Sequence, residues 1–258
     1  MKGIILAGGS GTRLHPLTVS VSKQLLPVYD KPMIYYPLNT LKQMGISEIL
    51  IITTLSQQDM FKKQLNDGSD FGLKLSYAVQ PEPKGLAEAF LIGEKFIGND
   101  EVTLILGDNV FINNPEINMP RYITESSFQP IYHGACIYGY KVTNPCQYGV
   151  LDLGPCKTKL LKVVEKPTLN SAPSDYACVG LYCFDNTVVK KAKNVKPSNR
   201  GELEIVGVIN QYIDEGKCNY ELLEPGDAWF DCGNPDDLLE CAEFIRALRY
   251  RANVNVGL

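Results

Sequence analysis

The sequence predicts an α/β protein of the doubly wound kind, with a mostly parallel central sheet flanked by helices and a β-rich second part. Three observations predict it. Apolar runs of the buried parallel-strand type recur in the first half, from Ile4 to Ala7, Glu48 to Thr54 and Val102 to Asp108. Segments with helical spacing alternate with them. The first run breaks directly into Gly8, Gly9, Ser10 and Gly11, and open α/β sheets place ligand loops at strand ends of this kind.

Each element has a local reason. PMIYYPLNTLKQMG reads as a helix opened by Pro32, which suits a first turn, and ended by Gly45, which tolerates a left-handed exit. EILIITT is apolar almost throughout, so it is expected between covered faces. LKLSYAVQ is the next strand and ends at Gln80. GLAEAFLIGEKFIG has apolar residues at helical spacing from Leu86 to Phe96, and VTLILGD delivers Asp108 to a strand end. In the second half PIYHGACIYGYKV, KLLKVVEK, YACVGLYCF and CNYELLE read as strands that extend the sheet. Helices are expected from Glu202 to Glu215 and from Pro235 to Arg251.

Length and composition bound the organisation. A chain of 258 residues holds one large α/β domain or two small ones, with a substantial core. No linker-like stretch, charge run, repeat or low-complexity segment divides it, so one domain over 1–258 is expected, with halves of about 1–115 and 116–258. A formal charge of -4 and a pI near 5.3 argue against a nucleic-acid surface. No apolar run has membrane length and no signal-peptide core is present, so no membrane partner is expected. The eight cysteines form no CxxC pair and only His15 and His133 could complement them, which argues against zinc. Several lie in apolar stretches, where a reduced thiol acts as a small hydrophobe, so a cytoplasmic protein is expected.

The glycine loop is a candidate phosphate cradle. Gly8, Gly9 and Gly11 lack a Cβ, so backbone N–H groups can approach an anion, with Thr12 beside them. Arg13 adds a planar fork of donors suited to phosphate oxygens. A dinucleotide-binding fingerprint is excluded because Leu14 stands where its third glycine belongs, and no Walker A string occurs. Alone, the loop reads equally well as a glycine turn at a strand end. Asp108 is similarly ambiguous: a carboxylate ending an apolar strand is costly to bury unless it meets a cation or donors, yet an isolated Asp is more often a cap or turn residue.

The wider text separates these readings. GGSGTRLHPLT followed by KQLLPVYDKPMIYYPL resembles the sugar-1-phosphate nucleotidylyltransferases, and QPEPKGLAEAF, LGDN, QYGV, VVEKP, YACVGLYCFD, RGELEI and AWFDCGN follow in the same order. The likeness runs from residue 1 to about residue 250. It implies a Rossmann-like nucleotidyltransferase fold whose second part builds the sugar side. It also implies attack by the phosphate of α-D-glucose 1-phosphate on the α-phosphorus of dTTP, giving dTDP-glucose and pyrophosphate. Such chemistry asks for positioning, cations and metal more than for a protein nucleophile.

By that resemblance Asp108 and Asp231 hold Mg²⁺, which prefers carboxylate oxygens and keeps waters. Arg13 and Lys23 neutralise the triphosphate; otherwise Lys23 is a solvated surface lysine. Gln80 and Gly85 take the base: the amide offers a donor and an acceptor to a pyrimidine imide, and the glycine admits close approach. Gly85 is equally a turn glycine. Lys166 and Arg200 hold the sugar phosphate, Glu165 accepts from sugar hydroxyls, and Tyr148, Gly149, Cys178, Tyr182 and Trp229 line the pocket. Without the resemblance Glu165 and Lys166 are an exposed pair before a turn, RGELE is helix-start chemistry, and Cys178, Tyr182 and Trp229 are core. UTP, another sugar phosphate, or a non-catalytic nucleotide-sugar sensor are the alternatives. Retention of Arg13, Lys23, Asp108 and Asp231 weighs against the sensor.

Three departures from the family pattern stand out. Lys84 occupies a position where Asp is usual, VFINNPEINMP replaces an FYGH-type segment, and Cys178 stands where Val is common. The family generally continues past the position of Leu258, so end-product inhibition is expected to be simple competition. The stripe Leu238, Leu239, Ala242, Ile245 and Leu248 on the last helix is expected to pack mostly on the protein's own core, with part of it available to a homodimer or homotetramer.

Overall fold

The computed structural model describes residues 1–112, 134–156, 159–223 and 226–258. His133, the first residues of PIYHGACIYGYKV, the last residue of CNYELLE and most of VFINNPEINMP lie outside the described residues. In chain order the first elements are β1 (Lys2–Ala7), β2 (Pro27–Val28), β3 (Lys31–Pro32), α1 (Tyr35–Gln43), β4 (Glu48–Thr53), α2 (Gln58–Leu65) and β5 (Lys74–Val79). Then come α3 (Glu88–Ile92), α4 (Glu94–Ile97), β6 (Val102–Leu106) and β7 (Asn109–Ile112). The remainder runs β8 (Ala135–Lys141), β9 (Gly149–Asp152), β10 (Lys162–Glu165), β11 (Tyr176–Phe184), α5 (Val188–Asn194) and α6 (Ile205–Asp214). It closes with β12 (Cys218–Leu222), β13 (Ala228–Asp231) and α7 (Pro235–Ala252). The fold is mixed α/β.

The described residues form two compact units. The first draws on Lys2–Pro83, the described part of Ile105–Phe128, and Gly226–Leu258. Here β1, β4 and β5 are parallel, with Ala7 opposite Thr53 and Thr53 opposite Val79. Ile4, Ile5, Ile49, Ile51 and Ile52 are fully buried, which is why these strands read as unbroken apolar runs. The strands stop level with one another. Gly8 and Gln80 therefore emerge at the same C-terminal edge, where ligand loops sit in open parallel sheets.

The same unit packs α7 and the antiparallel pair β7–β13 on a cluster of Val28, Met33, Tyr36, Val110, Ile112, Cys232, Cys241 and Ile245. Helix α7 is well specified: Asn234 caps it by accepting from Asp237 N at 3.0 Å, Pro235 starts it, and Asn253 ends it in a left-handed conformation. Leu238, Ala242, Ile245 and Leu248 join the core, whereas Leu239 is 59% exposed. Helix α1 starts three residues later than Pro32. Residues 31–32 are taken by the β2–β3 pairing, and Met33 N and Ile34 N donate to Leu26 O and Gln24 O.

The second unit draws on Lys84–Leu104 and the described part of Gln129–Pro225. Its strands are mostly antiparallel: β10 pairs β9, β9 pairs β11 and β11 pairs β8, while β12 lies parallel to β8. In its core Phe90 meets Phe184 edge-to-face with centroids 5.3 Å apart, and Phe184 stacks on Tyr212 at 5.5 Å. The helix expected from Leu86 to Phe96 is interrupted at Gly93, which ends α3 and caps α4. Helix α6 starts at Ile205 instead of Glu202, because Leu203 is occupied elsewhere: its N–H donates to Lys84 O and its carbonyl accepts from Ala87 N.

Candidate active site

In the first unit the glycine loop is built as a close-approach surface. Gly11 has φ +64°, and its carbonyl accepts from Leu14 N at 2.9 Å and from Thr18 Oγ1 at 2.7 Å, which turns the chain into a short 3₁₀ turn at Thr12–Leu14. A methyl group at Gly8 would lie 2.6 Å from Gln80 Oε1, and one at Gly9 would lie 3.8 Å from Lys23 Nζ. Gln80 and Lys23 are thus drawn over the loop, and the glycines make the room. Gln80 is only 3% exposed, and its N–H donates to Thr53 O at 2.8 Å.

Lys23 forms an ion pair with Asp108 through Oδ2, with each side chain 12% exposed. Burial pulls the Lys23 ammonium down, but the Asp108 charge and hydrogen bond outweigh it and leave its pKa raised. Burial likewise pushes Asp108 up, and Lys23 outweighs that and leaves it lowered. Asp231 stands on β13 opposite Asn109. Burial first, and then the Asp108 charge, push its carboxyl up to about 7 against the opposing pull of Lys23 and Arg13. The centre thus sets two carboxylates, Asp108 and Asp231, among the cations Lys23 and Arg13.

Two neighbouring carboxylates beside a phosphate-type loop fit a divalent cation. Asp108 and Asp231 offer carboxylate oxygens, and among the described residues no group of three or more His, Cys, Asp or Glu is placed to enclose a metal. A site with so few protein donors suits an ion that keeps waters and takes substrate oxygens, which is the habit of Mg²⁺.

Two further residues belong to this centre that sequence reasoning did not select. Asn109 Nδ2 donates to Asp108 Oδ1 at 3.3 Å, and Trp229 Nε1 donates to Asn109 Oδ1 at 2.7 Å. Trp229, expected to line the pocket, lies in the first unit, hydrogen-bonded to the residue that follows Asp108. A methyl group at Gly233 would fall 2.5 Å from Arg13 Nη2 and 3.3 Å from Asp231 Oδ1, so the glycine lets the guanidinium in beside the carboxylate. The signals lay inside LGDN and AWFDCGN, but their meaning depends on the β7–β13 register.

In the second unit a different set converges. Glu165 ends β10 opposite Gly149 of β9, and Lys166 N donates to Tyr148 O at 3.0 Å. Lys166 has φ +39° and an exposed side chain. Arg200 Nη2 donates to Glu165 Oε1 and to Glu204 Oε1, both at 2.9 Å. The Glu165 carboxyl is raised by burial and then by Glu204, partly offset by Lys166 and Arg200. Cys178 lies buried opposite Gly139, where the β8–β11 register shifts before Tyr182. Burial pushes its thiol up, with smaller contributions from Cys218 and Glu165. Tyr182 is 3% exposed and its ring stacks on Phe184.

Gly85 also belongs to the second unit. It has φ +103°, and a methyl group there would fall 2.5 Å from the carbonyl oxygen and 2.6 Å from the nitrogen of Leu203. No side chain fits. The structure thus gathers Gly8, Gly9, Gly11, Thr12, Arg13, Lys23, Gln80, Asp108, Trp229 and Asp231 in one unit. It gathers Gly85, Tyr148, Gly149, Glu165, Lys166, Cys178, Tyr182 and Arg200 in the other.

Comparison with known proteins finds relatives along the whole chain. The family described as "Nucleotidyl transferase" matches residues 2–247. A glucose-1-phosphate thymidylyltransferase of Neisseria meningitidis serogroup A is 48% identical over 257 residues, covering 100% of this chain and 86% of that protein. One from Mycolicibacterium smegmatis is 49% identical over 259 residues, with the same coverage. Among solved structures, a Bacillus anthracis protein described as a glucose-1-phosphate thymidylyltransferase, in complex with sucrose, superposes with a TM-score of 0.86 at 36% identity, covering 100% of this chain and 98% of that one. A UDP-glucose pyrophosphorylase complexed with UDP-glucose shares the fold, with a TM-score of 0.84 at 23% identity and coverage of 96% and 99%.

Proposed function

The chain belongs to the nucleotidyl transferase family, and from that membership we propose that it transfers a thymidylyl group from dTTP to α-D-glucose 1-phosphate, giving dTDP-glucose and pyrophosphate. The observation that carries this reading is the buried Lys23–Asp108 pair beside the glycine loop, with the Asp231 carboxyl on the neighbouring strand.

The chemistry is in-line: a phosphate oxygen of the sugar phosphate forms a bond to the α-phosphorus while the bond to pyrophosphate breaks. The backbone of Gly8, Gly9, Gly11 and Thr12 cradles the triphosphate, and Arg13 and Lys23 neutralise its charge as it shifts to the leaving group. Gln80 presents an amide to the thymine imide edge, and Gly85 admits close backbone approach. Glu165 accepts from sugar hydroxyls, Lys166 and Arg200 hold the sugar phosphate, and Tyr148, Gly149, Cys178 and Tyr182 shape the sugar's surroundings. Asp108 and Asp231 would hold Mg²⁺, which when bound supplies positive charge to the phosphate oxygens. Asn109 and Trp229 orient Asp108.

A pyrophosphate-release assay over a matrix of triphosphates and sugar phosphates tests the reading. The dTTP and glucose 1-phosphate combination is expected to give the highest kcat/KM, and a purine triphosphate giving the best turnover overturns the proposal.

The proposal extends to setting. Among the described residues no helix is long and apolar enough to cross a membrane, and all eight cysteines are unpaired, which supports a reducing cytoplasm. A homodimer or homotetramer is supported by the apolar residues exposed on α7, Leu239 at 59% and Tyr250 at 85%. Light scattering that finds only monomer removes the assembly part.

A further inference from the structure

The segment 198–204 is an unusual way to present an arginine. It is not helical, although Arg200 and Glu204 stand four residues apart. Gly201 N donates to Ser198 O at 2.8 Å, Ser198 N donates to Glu202 O at 2.9 Å, and Gly201 takes φ +76°. This tight turn folds Glu204 back under Arg200. Ser198 Oγ then donates to Glu204 Oε1 at 2.7 Å and itself accepts from Arg200 N at 3.2 Å. Arg200 Nη2 shares its reach between Glu204 Oε1 and Glu165 Oε1. The Glu204 side chain is only 14% exposed, so this contact is screened less than a surface ion pair. Glu202 is different: its Oε2 lies 3.6 Å from Nη2, beyond hydrogen-bond length, and its side chain is 40% exposed.

We infer that Glu204, held by Ser198, is a positioning residue that fixes the Arg200 guanidinium so that it orients Glu165 toward the sugar. This rests on the reading of Glu165 and Arg200 as the sugar-phosphate side. With one oxygen of Glu165 committed to Arg200, the other, Oε2, faces the backbone of Gly149: a methyl group there would lie 3.5 Å from it. Glu204 touches neither substrate in this scheme. It acts by removing the rotamer freedom that a long, part-exposed arginine otherwise keeps, so that less ordering is left to the binding step.

The test uses the full chain with steady-state kinetics for both substrates. Glu204→Ala is expected to raise KM for glucose 1-phosphate roughly tenfold, the scale of a lost hydrogen bond to a charged group, with kcat little changed. The KM for dTTP should stay within about twofold. Glu204→Gln keeps an acceptor and should recover most of the loss, and Glu202→Ala should behave as wild type. In an Arg200→Ala background, Glu204→Ala should add nothing, since the group it positions is gone. An equal rise in both KM values, or fully additive losses in the double variant, overturns the inference. If Glu204→Ala does not fold, Ser198→Ala must shift the sugar-phosphate KM in the same direction, by about threefold, or the inference fails. Should Arg200→Ala and Glu165→Ala leave that KM unchanged, the sugar-side reading itself is wrong and the inference falls with it. Should those two raise it and Glu204→Ala not, the positioning role alone is wrong.

Discussion

The indole N–H of Trp229 donates to Asn109 Oδ1 at 2.7 Å, and this sets which end of the Asn109 amide faces Asp108. With its oxygen engaged, the amide turns its NH₂ to Asp108 Oδ1, while Oδ2 faces Lys23. Trp229→Phe keeps the ring's bulk and removes the donor. We expect kcat to fall about tenfold and Mn²⁺ binding, followed by electron paramagnetic resonance, to weaken by a similar factor. A variant with weaker sugar binding but unchanged Mn²⁺ affinity would place Trp229 at a sugar wall instead.

Asp108→Asn and Asp231→Asn each replace one of the two carboxylates proposed to hold the metal. Each is expected to lower kcat by at least ~100-fold, the scale of losing a principal electrostatic stabiliser, with circular dichroism unchanged. Chelation of divalent ions should abolish wild-type turnover. Near wild-type rates in either variant at saturating Mg²⁺ would defeat the metal assignment.

Gly85→Ala forces a Cβ into the backbone of Leu203 and onto a residue with φ +103°. The expected cost is about 2 kcal/mol or more, visible as a drop of several degrees in Tm. The KM for dTTP should rise with it. An unchanged melting curve would mean that the loop moves away from Leu203 without penalty.

Glu165 gives a pH test. Its carboxyl is raised, first by burial and then by Glu204, above the ordinary value of 4.5. The folded protein therefore holds this proton more tightly than the unfolded chain does. The resulting stability is complete below 4.5 and is lost as pH rises through the folded value. Glu165→Gln stays neutral throughout. Its Tm is expected to gain on wild type as pH rises above 4.5, and a constant offset between the two curves would contradict this origin.

The parallel strands were legible because both of their faces are covered, which writes an uninterrupted apolar run into Ile49 to Ile52 and Ile4 to Ala7. The glycine loop and Asp108 were legible for a related reason: they stand where those runs stop. What escaped depended on distant partners. Nothing near Leu203 announces that its backbone belongs to Lys84 and Ala87, so α6 was expected to begin too early. Asn109 and Gly233 gain meaning only when β7 and β13 are set in register. Gly93, by contrast, was a visible break inside a run of helical spacing, and the periodicity masked it.

The two backbone bonds at Leu203 constrain how this protein can be altered. Lys84, Gly85 and Ala87 lean on the same short stretch of main chain that leads from Arg200 to Glu204. On the proposed assignment of Arg200 to the sugar phosphate and Gly85 to the base, rebuilding residues 201–203 to re-aim Arg200 would disturb the loop that carries Gly85, and nucleotide selectivity is expected to drift along with sugar scope. An evolved variant with a wider sugar range and intact nucleotide preference should therefore carry its changes around Tyr148, Cys178 and Tyr182, and leave the Gly201–Leu203 main chain as it is.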